Sequence, residues 1–126
     1  MSVAAGRGLS LVARLALGSA ALVASAGAPR AELLFAGAGA VTCDRFLALY
    51  RQSPVSAESL FVAWVQGFLS GLNNARLLDG AEPVPIADDV ALARDLREGC
   101  ARDGGATVLE IAVEVDRRAA ERRNAR

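Results

Sequence analysis

Residues 60–72 read Leu-Phe-Val-Ala-Trp-Val-Gln-Gly-Phe-Leu-Ser-Gly-Leu, and this apolar run decides the fold class. Only Gln66 and Ser70 are clearly polar within it. The run lies inside a longer helical segment, which we predict over residues 55–77. Because a helix that is apolar on most sides belongs in an interior, we expect this one to be central and mostly buried.

Small residues recur along this central helix. Ala63, Gly67 and Gly71 follow one another at intervals of four, which places them on one stripe. Each glycine inside a helix costs about 1 kcal/mol relative to alanine. We therefore expect another helix to approach closely along this stripe, with Trp64 packed beside it.

Three further helices are predicted around the central one, because apolar residues recur three, four and seven positions apart. The first covers residues 43–51, the third runs from Asp88 or Asp89 to residue 102, and the fourth follows Thr107. The residues expected to face the core are Cys43, Phe46, Leu47 and Tyr50 in the first helix, Leu92, Ala93, Leu96 and Cys100 in the third, and Val108, Ile111, Ala112, Val115 and Ala119 in the fourth.

Capping and helix-breaking residues separate these helices. Ser53 and Pro54 are typical of an N-cap followed by a first-turn proline, so one helix ends there and the next begins. Residues 78–87 contain an Asp-Gly pair and two prolines, which indicates a loop. Thr107 and Glu110 have the spacing of a capping box at the start of the fourth helix.

The first 26 residues have the pattern of a secretory signal peptide. Arg7 and Arg14 form a positive region without an acidic residue, and an apolar stretch of about a dozen residues follows, shorter than the roughly 20 of a membrane span. Ala24-Ser25-Ala26 supplies a small-x-small cleavage site. We therefore expect export to the periplasm and cleavage after Ala26; an organelle transit peptide and an uncleaved anchor are the alternatives.

The chain has two cysteines and no histidine. Cys43 begins the apolar stripe of the first helix and Cys100 ends that of the third, so both side chains should point into one core. In an exported protein such a pair favours a disulfide. Two separate buried thiols are the alternative.

Together these features predict an all-α fold, a small four-helix domain stapled by one disulfide. The domain should cover residues 42–120. A flexible, Ala/Gly-rich lead-in is expected at 27–41, and a charged tail at 121–126. Because the sequence is highly charged from Arg117 onward, we expect it to fray in solvent.

Composition excludes several functions. The chain has 14 basic and 14 acidic residues, and loss of Arg7 and Arg14 with the signal peptide leaves a net charge of −2. Near-neutral, dispersed charge argues against a nucleic-acid groove. Without histidine, the commonest catalytic base is missing, and two cysteines alone do not make a zinc site. We predict a protein that is not an enzyme and has no metal or cofactor.

Three polar pairs have both a binding and a structural interpretation. Neighbouring carboxylates at a helix start usually cap the helix, asparagines near a helix end are usually caps, and polar residues four apart can line a pocket, bond each other or face water. The pairs are Asp88 with Asp89, Asn73 with Asn74, and Gln66 with Ser70.

Residues 42–47, Thr-Cys-Asp-Arg-Phe-Leu, resemble the Thr-Cys-x-x-Phe-Leu opening of the HdeA/HdeB family of small periplasmic acid-stress chaperones. Residues 72–74 are similar to the end of that family's central helix, and residues 100–103 to its second cysteine segment. The similarity covers about residues 41–120. Residues 64–73 look more like other members of the wider superfamily, and like the immunity proteins of type VI secretion, which are likewise small, exported, helical and disulfide-bearing.

The resemblance implies a protein that is folded and often dimeric at neutral pH, and that loosens in acid to expose apolar surface to unfolded clients. In this chain only carboxylates titrate between about pH 2 and 6. Their protonation would move the mature charge from −2 to about +12, because arginine stays charged. The resulting repulsion favours loosening, while a disulfide limits expansion.

We therefore expect an acid-stress chaperone-like protein, and as the alternative a dedicated partner-binding, immunity-type protein that neutralises a secreted effector. Its partners would be unfolded periplasmic proteins or that effector, with a homodimer as a further possibility, and without nucleic acid or stable membrane insertion. The expected client- or partner-binding surface is apolar and lies on the central helix, with Gly67 and Gly71 as packing positions. Its residues are Leu60, Phe61, Trp64, Phe68 and Leu69.

Overall fold

Four α-helices make up most of residues 36–126, the part of the chain that the computed structural model describes. They are α1 (Cys43–Gln52), α2 (Pro54–Leu78), α3 (Asp89–Arg102) and α4 (Val108–Asn124), preceded by a short 3₁₀-helix, Gly37–Ala40. The predicted all-α, four-helix domain is confirmed. The expected signal peptide, residues 1–26, lies outside the described residues.

The junction between α1 and α2 is a single residue. Ser53 ends α1, where its N–H donates to the carbonyl of Leu49 at 2.9 Å, and its own carbonyl accepts the first bond of α2 from the N–H of Ala57 at 2.9 Å. Its side chain makes no capping bond, so Pro54 at the start of α2 supplies the local signal. The far end of α2 turns into the loop at Gly80, whose φ of +73° favours glycine.

Both later helices begin with the expected side-chain caps. Asp88 caps α3, because its Oδ1 accepts from the N–H of Ala91 at 2.9 Å. At α4 the N–H of Glu110 donates to Oγ1 of Thr107 at 3.3 Å, and the N–H of Thr107 donates to Oε2 of Glu110 at 2.6 Å. The predicted capping box is therefore confirmed, and Asp88 has the structural role of a cap.

The core lies where the inward faces of all four helices meet. Phe46 and Phe61 pack edge to face with ring centroids 4.7 Å apart, at 2% and 1% exposure. The predicted inward faces of α3 and α4 are buried except for Ala119, which is half-buried, while in α1 Leu47 and Tyr50 are half-buried. The other side chains of the core centre are Val65, Leu92, Leu96 and Val108.

Cys43 and Cys100 form the predicted disulfide, with Cα atoms 4.7 Å apart and 57 positions between them in sequence. Backbone hydrogen bonds that have no signal in the sequence lie beside it. The N–H of Cys43 donates to the carbonyl of Ala106 at 2.8 Å, and the N–H of Val108 donates to the carbonyl of Val41 at 2.9 Å. The starts of α1 and α4 and the end of α3 are therefore held together at one end of the domain.

The expected flexible lead-in at 27–41 is wrong for the residues of it that the structure describes. The 3₁₀-helix Gly37–Ala40 packs on Trp64, and Ala38 and Gly39 are buried. The reason is steric: Gly39 has no Cβ, so its backbone lies directly against the indole ring, where a Cβ would be 2.0 Å from a ring carbon. The Ala/Gly composition permits close packing here rather than flexibility.

The expected fraying from Arg117, and the separate tail at 121–126, are also wrong, because α4 continues to Asn124. Arg117 pairs with Glu121 one turn later, which supports the helix at this exposed end. The guanidinium of Arg123 donates to the carbonyls of Glu82 and Pro83 at 2.9 and 3.0 Å. These bonds join the last turns of α4 to the loop before α3.

Candidate functional site

The five residues expected to form an apolar binding surface do not share one environment. Phe61 and Leu69 are in the core, at 1% and 3% exposure, while Leu60 is 60% exposed on the opposite side of α2. Trp64 and Phe68 are half-buried and stack on each other, with ring centroids 5.6 Å apart and planes 6° from parallel. The native fold therefore presents only part of the predicted surface, and the rest would need the helices to separate.

The predicted helix contact along Ala63, Gly67 and Gly71 is wrong within the described chain. All three residues are exposed, and no atom beyond the helix itself lies within 4 Å of a Cβ placed on either glycine. Trp64 packs instead against Gly37 and Gly39. The expectation that α2 is mostly buried fails for the same reason, since it buries one face and leaves the opposite face open.

Arginine–carboxylate pairs join α2, α3 and α4 to one another. The pair between α2 and α4 is the most enclosed: Nη1 of Arg76 is 2.9 Å from Oδ1 of Asp116, a second bond joins Nη2 to Oδ2, and the side chains are 26% and 12% exposed. The other two pairs have N–O distances of 3.1 and 3.6 Å. They are Glu58 with Arg97 between α2 and α3, and Arg102 with Glu114 between α3 and α4.

Hydrogen bonds shift the pKa values of Arg76, Glu114 and Glu110. The pKa of Arg76 is raised, chiefly by its bond to Asp116, although burial opposes that shift. The pKa of Glu114 is lowered, first by its bond from Arg118. The pKa of Glu110 is lowered by the backbone and side-chain bonds from Thr107 in the capping box. The fold therefore stabilises the carboxylates of Glu110 and Glu114 in their charged form.

A groove of about 470 Å³ lies between the N-terminal half of α2, the end of α1 and the start of α3. Its polar rim contains Tyr50, Glu58, Gln66 and Asp89, and Val62 forms part of its apolar floor. Nε2 of Gln66 donates to Oδ1 of Asp89 at 2.5 Å. The groove can offer hydrogen bonds and negative charge to a ligand, and Gln66 takes the pocket-lining role that the sequence left open.

A cation–π contact and an ion pair position one wall of this groove. The guanidinium carbon of Arg97 lies 5.0 Å from the centre of the Tyr50 ring, and Nη1 of Arg97 is 3.1 Å from Oε2 of Glu58. Tyr50 comes from α1, Glu58 from α2 and Arg97 from α3. Three helices thus meet at one cationic side chain, an arrangement with no local sequence signal.

Neither residue of the asparagine pair, Asn73 or Asn74, caps the end of α2. Asn73 lies inside α2 and binds the backbone of the following loop: its Nδ2 donates to the carbonyl of Val84 and its Oδ1 accepts from the N–H of Val84, both at 2.8 Å. It therefore folds the loop back against the helix. Asn74 and Ser70 are exposed on the open side of α2.

Hydrogen bonds, ion pairs and apolar contacts are the side-chain interactions seen among residues 36–126. Both cysteines are in the disulfide. Within these residues, no three cysteine or acidic side chains cluster as metal ligands would. By length and composition alone, α2 is long and apolar enough to cross a membrane. The core helix of a water-soluble domain also passes that test, so it does not decide between the two.

Comparison of the chain with protein-family models, with curated proteins and with solved structures finds no match. A functional assignment therefore depends on the chain's own residues and on the resemblance that its two cysteine segments carry.

Proposed function

We propose that this protein is an exported, acid-responsive chaperone that binds unfolded proteins when low pH loosens its helices. The observation that supports it is the set of ion pairs between α2, α3 and α4, since each of these three helix contacts includes a carboxylate. Protonation would remove the charge from one partner of every pair and leave the arginine charged. Acid thus removes the ionic attraction at these helix contacts and leaves the chain with a net positive charge.

The direction of the pH effect follows from the pKa shifts. The pKa values of Glu110 and Glu114 are lowered in the folded state from an ordinary value of 4.5. A group with a lowered folded pKa stabilises the fold above its unfolded value, and that contribution is lost as the pH falls through the folded value. The stability that these two carboxylates contribute is therefore present near neutrality and is lost below about pH 4.5.

The surface offered to clients would be the inner face of α2. Phe61 and Leu69 are covered in the native fold, and Trp64 with Phe68 is half covered. If α1, α4 and the 3₁₀-helix move away from α2, these side chains become accessible as one apolar stripe, because positions 61, 64, 65, 68 and 69 recur at helical spacing. The disulfide between α1 and α3 would keep the opened chain from expanding fully.

The test is an aggregation assay at pH 2–3, with an acid-sensitive client protein and the mature chain from residue 27. We expect light scattering of the client to fall with increasing protein, and fluorescence of the single tryptophan, Trp64, to report exposure over the same pH range. Unprotected clients together with an unchanged fold at pH 2 would refute the proposal.

A matched pair of variants makes the assay specific to the helix contact. Asp116→Asn removes the carboxylate that pairs with Arg76 of α2, so loosening and client protection should begin at higher pH. Glu121→Gln makes the same chemical change on α4 but affects only the pair with Arg117 within that helix. It should leave the onset pH unchanged. Equal shifts in both variants would show that overall charge, and not the α2–α4 pair, sets the onset.

A second proposal, a dedicated partner-binding or immunity-type role, has support from the groove beside Tyr50 and Asp89. Its acidic rim and apolar floor suit a basic segment of a partner protein. The two roles differ in pH: a stable one-to-one complex with the product of a neighbouring gene at neutral pH, without client protection in acid, would favour this second role.

A further inference from the structure

Three arginine side chains at the end of α4 line a groove that also has an apolar wall. This arginine groove has a volume of about 280 Å³ and lies between the last turns of α4 and the loop before α3. Its arginines are Arg122, Arg123 and Arg126, and its apolar wall consists of residues 85–87 with Ala119. Among residues 36–126, no acidic side chain belongs to the lining. The groove therefore combines positive charge with apolar surface.

Two of the three guanidinium groups have no partner in the described part of the chain. Arg122 and Arg126 are exposed, and neither side chain makes a hydrogen bond or an ion pair with another of residues 36–126. Each guanidinium has five N–H donors and a permanent positive charge. Both groups are therefore available to a ligand that enters the groove.

Arg123 has a different part, because its donors are already used within the fold. Its Nη1 donates to the carbonyls of Glu82 and Pro83 at 2.9 and 3.0 Å, and its Nε and Nη2 are both 3.2 Å from Oδ1 of Asn124. These bonds hold the loop against α4 and so fix the wall of the groove. The charge of Arg123 still contributes to the potential inside it.

The nearest carboxylates do not cancel this charge. A hollow of about 20 Å³ adjoins the arginine groove and shares Arg122 with it, and Asp95 and Asp116 line that hollow. Asp116 pairs with Arg76, and Asp95 pairs with Arg94 at an N–O distance of 2.7 Å. Because each carboxylate already has its own arginine, the positive charge of the groove stays unbalanced.

We infer that the arginine groove binds a phosphate monoester that carries a small organic group. A phosphate monoester has a charge of about −1.5 to −2 at pH 7 and three acceptor oxygens, which suits several guanidinium groups at once. A carboxylate has one charge and two oxygens, so a single arginine satisfies it. The apolar wall suits the organic group. Ligand pockets usually have volumes of about 300–1,000 Å³, so a groove of this size takes a small ester such as glycerol 3-phosphate.

The position at a helix end limits the affinity. The C-terminal end of α4 carries the negative end of the helix dipole, and the groove is open to solvent, so salt screens its charges. We therefore expect a Kd on the order of 1 mM for glycerol 3-phosphate at low ionic strength. Basic residues in a last turn also stabilise the helix dipole by themselves, and that structural role alone predicts no saturable binding.

The first experiment is a titration of the ¹⁵N-labelled chain from residue 27 with glycerol 3-phosphate, followed by NMR at neutral pH and constant ionic strength. The proposed acid response has no part at this pH, so the outcome is separate from that of the proposed function. We expect saturable shifts of the amides of residues 85–87 and 119–126. Acetate at the same ionic strength should not saturate them, because one carboxylate does not replace the charge and the third oxygen of the phosphate.

A matched pair of variants connects the binding to the groove. Arg122→Ala should raise the Kd about tenfold, because the ligand loses a charged hydrogen-bond donor. Arg45→Ala removes the same charge from an exposed position of α1 and should leave the Kd unchanged. Both variants should stay helical by circular dichroism, since alanine is the best helix former. At a ligand concentration ten times the Kd, the Tm of the unsubstituted chain should rise by several degrees.

A flotation assay distinguishes a soluble ester from the same phosphate group on a lipid. Binding to phosphatidic acid vesicles that Arg122→Ala weakens, without binding of glycerol 3-phosphate, would assign the ligand to a lipid headgroup. Equal flotation with phosphatidylglycerol vesicles would show general attraction to a negative surface and would overturn the inference. So would equal weakening by Arg122→Ala and Arg45→Ala, saturable shifts outside the groove, equal saturation by acetate, or the absence of binding in both assays.

Discussion

Two alanine substitutions at glycine should change the stability of this domain in opposite directions. Gly39 lies under the indole ring of Trp64, where an added Cβ would be 2.0 Å from Cη2 and 2.1 Å from Cζ2. Gly67 is on the open side of α2, where an added Cβ meets nothing within 4 Å outside its own helix. The same chemical change thus meets a packed ring at one site and solvent at the other.

The expected magnitudes follow from these distances. At Gly39 the ring and the 3₁₀-helix must separate by more than 1 Å, because real Cβ contacts do not approach below 3.0 Å. Overpacking of this kind costs about 1–3 kcal/mol. At Gly67 alanine should add about 1 kcal/mol through helix propensity. In a domain of this size each kcal/mol moves the Tm by about 4–8 °C.

The assay is urea unfolding of the chain from residue 27 at low micromolar concentration, followed by circular dichroism and by the fluorescence of Trp64. Gly39→Ala should lower the midpoint and change the native tryptophan spectrum, whereas Gly67→Ala should raise the midpoint and leave the spectrum alone. A stabilising Gly39→Ala would refute the close contact. A destabilising Gly67→Ala would show that another part of the chain covers α2.

Three further predictions test the helix cap, the disulfide and the carboxylates. Replacing Cys43 and Cys100 together by serine should lower the free energy of unfolding by about 4 kcal/mol on the loop-entropy model, measured by urea titration against the oxidised chain. Thr107→Ala should cost about 1 kcal/mol in the same titration, because α4 loses its capping box. Between pH 6 and 3 the free energy of unfolding should fall. In Glu110→Gln it should fall less steeply, because the carboxylate with the lowered pKa is no longer there to contribute. Equal slopes in the two proteins would contradict this.

Local signals predicted the helices well. Pro54, Asp88 and the Thr107–Glu110 box act within one turn of the backbone, so the sequence alone places the starts of α2, α3 and α4. The disulfide was predictable because Cys43 and Cys100 each lie on an apolar stripe, which directs both to the core.

The predictions that were wrong concern which part of the chain packs against a helix, not whether the helix forms. The sequence shows that Gly67 and Gly71 open one side of α2, but it does not show whether that side meets the chain itself. The partner of Trp64 turned out to be Gly39, whose lack of a side chain leaves no periodic signal. Composition alone cannot distinguish a glycine that loosens a chain from one that permits close packing.

The polar candidates failed for lack of long-range information. Arg76 and Asp116 are 40 positions apart and Arg97 and Glu58 are 39 apart, so no motif brings either pair together. Charge counting gives the number of carboxylates but not which of them join helices. The proposed acid response depends on that distinction, because a carboxylate within one helix does not hold two helices together.

The two ends of the domain are held together by different interactions. At one end, the disulfide and the backbone hydrogen bonds from Cys43 and Val108 lie side by side, and none of them titrates in acid. At the other end, the helices are joined by the ion pair of Arg76 with Asp116 and by the hydrogen bonds from Arg123 to loop carbonyls. The helices can separate at this end while the disulfide end keeps their arrangement. Amide hydrogen exchange should therefore begin at the end with the Arg76–Asp116 pair and reach the disulfide end last. The separated helices can pack together again without rearranging their contacts at the disulfide end.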